Sequence, residues 1–599
     1  MNLPPLIVAM PLLAAILLAV FTKVLRPRVA DVVAIAAALG VSVMCGFLYR
    51  QSLSSPLVHW FGGWRPRGGV AVGISFVVDP AGAGLAVLVS VLMLAALVYS
   101  ARYFEKVGTL YHTLMLVFLG AMCGFCLTGD LFNLFVFFEL MGAAAYALCG
   151  YKTEEPGPLQ GALNFAVVNT VGAFLVLDGL ALLYARTGAL NLAQIAQAVG
   201  DQRPDGLLIT AFVLLAAGFL VKAAAVPFHF WLADAHAVAP TPVCILFSGV
   251  MVELGLYAVV RLYWVIFSAP FAGHGEALRA LLITAGLLTA LLGAVMCFLQ
   301  RHIKRLLAFS TVSHVGIMLI GFGLLDREAL AGLIVYVAGH ALVKSSLFLG
   351  AGLLLHRFGS VDELKLHGRA RRVPLLAGVF VLGAFGLAGL PTFGTFLGEA
   401  LMSEAAEHHD YAWLSWCSML AAALTGAAVL RMTARVFFGW GAAPDEAARP
   451  PTTEDEQRET RNDHTRLPLV MVVPTVLLAV TGLFSGLTPG AAGAAHLAAE
   501  RLHDRPAYIA RVLDDQPVPP PAPATTPALT TPLLHGLASA AAALILACLA
   551  LFRPRLRLPG TVRGVAELRQ VHSGHIGDYV AWLTLGVAVF GVSCAVLLR

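Results

Sequence analysis

Apolar stretches of about twenty residues, each long enough to cross a bilayer core as a helix, follow one another along almost the whole chain and alternate with short polar segments. This pattern predicts sixteen spans, beginning near Pro5, Ala30, Asp79, His112, Leu131, Gly161, Leu207, Pro240, Leu278, Ile303, Ala331, Leu375, Ala412, Leu467, Pro532 and Asp578. An even number places both termini on one side. Two stretches interrupt the rhythm. Ala442–Arg466 is polar and mixed in charge. Ala495–Thr531 starts with an interfacial helix, His496–Leu513, and runs into Pro517-Val-Pro-Pro-Pro-Ala-Pro-Ala, a semi-rigid linker. The two spans beyond it read as an appendix to a fourteen-span core.

Composition agrees. Of 599 residues, 59% are hydrophobic and only 12% charged, against about 25% charged in soluble proteins, and the mean hydropathy is +0.83. The expected fold is an all-α polytopic membrane protein. The first apolar run, Pro4–Val20, has its basic residues after it (Lys23, Arg26, Arg28), so it reads as a retained span and not a cleaved signal. Lysines and arginines crowd the loops after odd-numbered spans, as in Arg301/Lys304/Arg305 and Lys365/Arg369/Arg371/Arg372. Those loops are expected in the cytoplasm of a cell with this protein in its plasma membrane, with both termini outside. The nine cysteines include one isolated pair, Cys123-x-x-Cys126, and read as small buried residues. No phosphate-binding loop, dinucleotide fingerprint or cluster-holding cysteine set occurs. The chain is therefore expected to carry no catalytic residue, cofactor or metal and to bind no nucleic acid; its expected surroundings are the lipid bilayer and other membrane subunits.

Ionisable residues inside the spans point to chemistry. Glu139 lies within Leu131–Tyr151, Lys222 within Leu207–Phe230, Lys344 within Ala331–Leu355 and Glu399 within Leu375–Met402. A charge near the bilayer centre costs ~2.5–3.5 kcal/mol on the gentlest scale and usually marks an ion path. Two of the four lie beside helix breakers: Lys222 precedes Pro227, and Glu399 follows Pro391. Proline removes a backbone donor, which is tolerated at membrane depth only where backbone lines protein or water. Interrupted segments at corresponding positions of two halves mark ion sites. His340 and Lys344 are four residues apart and share a helix face; His314 fits either a hydrogen-bonded packing position or a place in the same relay. Neither Glu139 nor Lys222 can stay charged alone, so the two are expected within salt-bridge or one-water reach of each other.

Five motifs carry a resemblance. They are Phe135-Val-Phe-Phe-Glu139-Leu-Met, Lys222-Ala-Ala-x-x-Pro227-Phe-His-x-Trp231-Leu-x-x-Ala235-His236, Ala239-Pro-Thr-Pro-Val243, Ile303-Lys304-Arg305-Leu-Leu-Ala-Phe-Ser310 and His340-x-x-x-Lys344. In this order, over about Leu114–Phe438, the chain resembles the proton-conducting membrane subunit family. That family holds the antiporter-like subunits of respiratory complex I, Mrp-type cation/proton antiporter subunits and hydrogenase-4-type membrane subunits. The resemblance implies a fourteen-helix core with two inverted five-helix repeats, spans 4–8 and 9–13, containing the broken helices. It divides the chain into residues 1–111, 112–266, 278–440, a cytoplasmic loop at 441–466, span 14 at 467–490, an outer linker at 491–531, and two last spans at 532–599. It also implies that Glu139 and Lys222 take up the proton, His340 and Lys344 relay it and Glu399 releases it. Glu253 stands where the family commonly has lysine. If it joins Glu139 and Lys222, the three form an acid–base–acid cluster.

The expected function is proton translocation, or exchange of Na⁺ or K⁺ for H⁺, by one subunit of a hetero-oligomeric membrane complex. The alternative is a proton-pumping subunit of an NADH-quinone oxidoreductase-like or hydrogenase-like redox complex. A non-conducting scaffold has no use for buried charges this costly.

Overall fold

In the computed structural model, residues 3–104, 108–201, 203–442, 467–518, 530–552 and 572–598 are described. Most of the predicted loop at 441–466, the proline-rich part of the linker and the segment joining the last two spans lie outside them. The helices are α1 (Leu3–Val20), α2 (Pro27–Ser52), α3 (Pro80–Tyr103), α4 (Thr109–Leu127), α5 (Leu131–Cys149), α6 (Pro156–Thr187), α7 (Leu192–Val199) and α8 (Gly206–Lys222). Next come α9 (Phe230–Val238), α10 (Thr241–Leu246), α11 (Val252–Leu262), α12 (Gly275–Phe298), α13 (Ile303–Gly323), α14 (Arg327–Phe358), α15 (Pro374–Leu387) and α16 (Gly394–His408). The last are α17 (Trp413–Thr433), α18 (Leu469–Phe484), α19 (Ala491–His503), α20 (Arg505–Leu513), α21 (Thr530–Phe552) and α22 (Ile576–Leu597). Short strands β1 (Leu57–Trp60) and β2 (Ser75–Val78) pair antiparallel.

Among the described residues, 14 helical segments are long and apolar enough to cross a membrane. The two remaining predicted spans are the broken ones, α8–α9 and α15–α16, whose longer apolar pieces, Gly206–Lys222 and Pro374–Leu387, are too short to cross alone. Each break contains a non-glycine residue at positive φ, Ala224 at 54° and Thr392 at 104°. Such backbone is uncommon and clusters at functional sites. A π-helical turn, Phe247–Met251, joins α10 to α11, and such turns also concentrate at functional sites.

Close backbone approach holds the bundle together. Apolar helices have no hydrophobic drive to associate within lipid, so contact depends on small residues that admit a neighbouring backbone. A Cβ added at Gly218 would lie 2.4 Å from the Gly172 carbonyl oxygen, which locks α8 to α6. At Gly398 it would lie 2.6 Å from the Gly332 oxygen (α16 to α14), and at Gly316 only 2.1 Å from the Ala290 nitrogen (α13 to α12). Large apolar side chains such as Phe47, Phe174, Leu288 and Leu477 instead face outward, as lipid contact requires.

Polar residues anchor the ends. Asp79 caps α3 through the Gly82 amide and pairs with Arg261 of α11, whose guanidinium also donates to the Tyr257 hydroxyl. Both partners are almost wholly buried. Lys304 donates 2.6 Å to the Ala239 carbonyl at the end of α9, a cation at a helix C-terminus. His302, just outside the span, accepts from the Arg305 amide at the start of α13; burial, with Lys304 and Arg305 beside it, pushes its pKa down to about 4, so it stays neutral and able to accept.

Replacing Gly316 by valine should lower the melting temperature of the detergent-solubilised protein, since overpacking costs about 1–3 kcal/mol. Gly378→Ala, where a Cβ would meet nothing within 4 Å, should leave it unchanged.

Candidate ion-relay site

The two helix breaks bracket a line of polar side chains running through the helical bundle. Lys222 ends α8 and is fully buried. Its Nζ lies 4.7 Å from the Phe138 ring centroid, 5.6 Å from that of Phe165 and 5.8 Å from that of Tyr146, a cation–π setting. It has no hydrogen-bond partner among the described residues. A Cβ at Gly142 of α5 would come within 3.5 Å of Nζ, so the ammonium rests against α5 one turn from Glu139. Glu139 is half-buried and is the acid that acts on Lys222 electrostatically. A direct ion pair, one of the two forms expected from the sequence, is not made between them.

Glu253 departs from expectation more clearly. Its Oε1 lies 2.6 Å from His340 Nδ1, both side chains being fully enclosed, and Lys344 is its nearby cation. The acid–base–acid cluster with Glu139 and Lys222 does not form. Helix geometry explains this. Residues two apart on α11 point about 200° apart; Gly255 faces α8, where a Cβ would lie 2.7 Å from the Phe219 carbonyl oxygen and the Ala223 nitrogen. Glu253 therefore turns towards α14.

His340 is the centre of the site. Its ring stacks on His314 at 5.1 Å between centroids. His314 in turn meets the Tyr336 hydroxyl at 2.7 Å and the Thr425 hydroxyl at 3.2 Å, and Tyr336 lies within electrostatic range of Glu399. One turn along α14, Lys344 donates 2.6 Å to the Leu307 carbonyl and also donates to the Ser310 hydroxyl. The Leu307 carbonyl also accepts from Thr311 at 3.1 Å. The Thr311 hydroxyl, its one hydrogen directed to Leu307, lies 3.0 Å from the Ser248 hydroxyl, which lies 2.8 Å from His236 Nε2 on α9.

The row therefore runs from the piece beyond the first break, through His236, Ser248 and Thr311, to Lys344 and His340, and on through His314 and Tyr336 towards Glu399. At the second break Glu399 folds back, its Oε2 being 3.1 Å from where a Gly389 Cβ would lie. It lines cavities of about 10 and 20 Å³ with Ser403 and Ser415, and about 10–15 Å³ is enough for one water.

Of the seven ionisable residues singled out in the sequence, Glu253, His314, His340, Lys344 and Glu399 lie on or beside this row. Lys222 and Glu139 stand together at the first break, with no polar contact among the described residues joining them to the row. The polar links were missed. His236 stands inside a motif, but Ser248, Ser310, Thr311, Tyr336 and Thr425 are ordinary in apolar helices. The only sequence signal for them is a hydroxyl pair, Ser310-Thr311, within a strongly apolar span.

Comparison with known proteins places the chain in a family. The signature described as "NADH:quinone oxidoreductase/Mrp antiporter, TM" matches residues 128–425. A protein from Desulforudis audaxviator named NADH-quinone oxidoreductase subunit N is 32% identical over 495 residues, covering 81% of this chain and 96% of that one. The chain belongs to the NADH:quinone oxidoreductase/Mrp antiporter family. A Na(+)/H(+) antiporter subunit of Bacillus subtilis is another relative, 28% identical over 85% of this chain and 98% of its own length. A chain in the structure of an Mrp complex from a Dietzia species superposes with a TM-score of 0.74 at 26% identity, covering 86% of this chain and all of that one. A chain of an archaeal membrane-bound sulfane sulfur reductase, at 24% identity and the same TM-score and coverage, shares the fold. The chain is thus an antiporter-like membrane subunit of this family.

In this family member, a thermal-stability double-mutant cycle between Glu253→Gln and His340→Ala should reveal a coupling of about 0.5–3 kcal/mol, as residues in contact do. The cycle between Glu253→Gln and Lys222→Ala should be additive.

Proposed function

We propose that this chain carries protons across the plasma membrane, or exchanges Na⁺ or K⁺ for H⁺, as one subunit of a hetero-oligomeric complex. The observation that carries this reading is the row of polar side chains running between the two helix breaks through the bundle. The breaks fall in the fourth of five spans in each set, 4–8 and 9–13, which supports two inverted repeats with one half-channel each. Glu139 and Lys222 take up the proton. His236, Ser248 and Thr311 connect the first half to Lys344, His340 and Glu253. His314 and Tyr336 lead to Glu399, which releases it. Positive loops after odd-numbered spans support cytoplasmic uptake at the first break, release at the second, and both termini outside.

Lys222 is suited to gating because it has no fixed hydrogen-bond acceptor. Its proton is held by aromatic faces and by Glu139, and a buried ammonium with so few partners responds strongly to movement of a nearby acid. Glu139 stands at the half-buried edge of α5 beside the outward-facing Phe132 and Val136, a face that a neighbouring subunit would cover. A second reading has specific support. The relative covered over 96% of its length is named for NADH-quinone oxidoreductase, and the same relay would serve a complex driven by redox chemistry elsewhere. Mass spectrometry of the copurified complex separates the two through the identity of the partner subunits.

Lys222→Ala in the assembled complex should reduce proton flux in proteoliposomes by about 10²-fold or more, the usual contribution of a positioned proton-transfer group, while insertion and assembly persist. Flux equal to wild type would overturn the relay.

A further inference from the structure

The C-terminal pair α21 and α22 lies beyond the predicted core, yet each helix of the pair sits on one of the two breaks. On α22, a Cβ at Gly586 would lie 2.3 Å from Pro227 Cγ and 2.8 Å from Phe228. On α21, a Cβ at Gly536 would lie 2.7 Å from the Gly389 carbonyl oxygen and 2.9 Å from Phe396. A glycine at each crossing lets the appended helix touch the interrupted backbone directly. Each also brings a histidine.

Just before α22, His572 Nε2 lies 3.0 Å from Nε2 of His229, which is fully buried two residues after Pro227. Two imidazole nitrogens at this distance share one hydrogen, one ring donating and the other accepting. The segment is held in place by Asn164, which donates 3.1 Å to the Gly574 carbonyl, and by Tyr579, which donates 2.8 Å to Asp234. Phe230 and Phe309 pack against the His572 ring. At the other break, half-buried His535 of α21 lines the same water-sized cavity as Glu399, Ser403, Ser415 and Ser539, with Trp416 against its ring at 5.0 Å.

We propose that the C-terminal helix pair completes both half-channels, with His572 as the proton-transfer group at the cytoplasmic mouth and His535 as the one at the outer mouth. This rests on the relay proposed above and on its orientation. Imidazole suits the task because a proton accepted at one ring nitrogen is balanced by release from the other. A proton reaching His572 Nδ1 lets His572 pass its Nε2 proton to His229 Nε2, as His229 releases its Nδ1 proton to a water entering the break. That Nδ1 is buried and has no other hydrogen-bond partner among the described residues. At the outer mouth, Glu399 gives its proton through the cavity to one His535 nitrogen, and the other nitrogen releases a proton to the outside.

The test uses the complete complex in proteoliposomes of known orientation. His535→Gln and His572→Gln keep hydrogen-bonding capacity; His572→Tyr, which keeps ring packing, is the second variant should glutamine impair assembly. Each variant should lose proton flux by about 10²-fold, the range for a positioned proton-transfer group. Added imidazole should restore His535→Gln from the outer side only, and the residue 572 variants from the cytoplasmic side only. Wild-type flux in these variants, or a loss that imidazole restores from neither side, overturns the proposal. Lys222→Ala run in parallel separates the two claims. If that variant is inactive while the histidine variants are normal, the relay stands and the C-terminal role falls; if Lys222→Ala is itself active, the relay falls.

Discussion

Inside lipid, every charge and every freed backbone group must find its partner within the protein, because no bulk water can supply one. The two central lysines meet this demand differently. Lys344 is bonded to a main-chain carbonyl and a serine hydroxyl of α13, so its ammonium is held at one place. Lys222 has only aromatic faces and a neighbouring acid. Under the proposed relay the first arrangement suits a fixed station and the second a switch, and the packing of the surrounding helices sets which groups each lysine can reach.

Glycine packing does that placing. Where α14 meets α16, and α8 meets α6, backbones approach so closely that a single Cβ would collide with a carbonyl. A broken helix would otherwise leave carbonyls and amides exposed to lipid. Tight neighbours exclude lipid from the break, and the polar groups freed there can line a path. The left-handed residues at both breaks, Ala224 and Thr392, are strained backbone that the packing holds in place.

The buried Asp79–Arg261 pair shows the same rule away from this row of polar side chains. Breaking a buried ion pair by removing one partner costs about 3–5 kcal/mol. The pair therefore fixes the start of α3 to α11, and with it the height of Glu253 beside α14. The Glu253–His340 contact depends on that height and on the close approach of Gly255 to the end of α8. A carboxylate at this position bonds an imidazole, whereas a lysine in its place would confront His340 and Lys344 with a further positive charge.

Apolar periodicity was enough to locate the spans, because a helix in lipid must be about twenty apolar residues long wherever it packs. The cost of buried charge was likewise enough to single out Glu139, Lys222, Lys344 and Glu399 without any neighbour being known. Partnership was not legible. The sequence left open whether Glu253 joins Lys222; it bonds His340 instead, because the side of α11 that meets α8 is decided by Gly255, a residue without a side chain. Ser248, Thr311 and Tyr336 carry no signal of their own, since a hydroxyl in an apolar helix commonly bonds its own backbone. Their alignment comes from the crossing of helices far apart in the chain, as does the meeting of His572 with His229. The sequence by itself determined which residues are too costly to bury without purpose; tertiary packing decided which of them touch, because contact across a bundle depends on helix rotation and crossing distance, and these emerge only when all the helices are assembled.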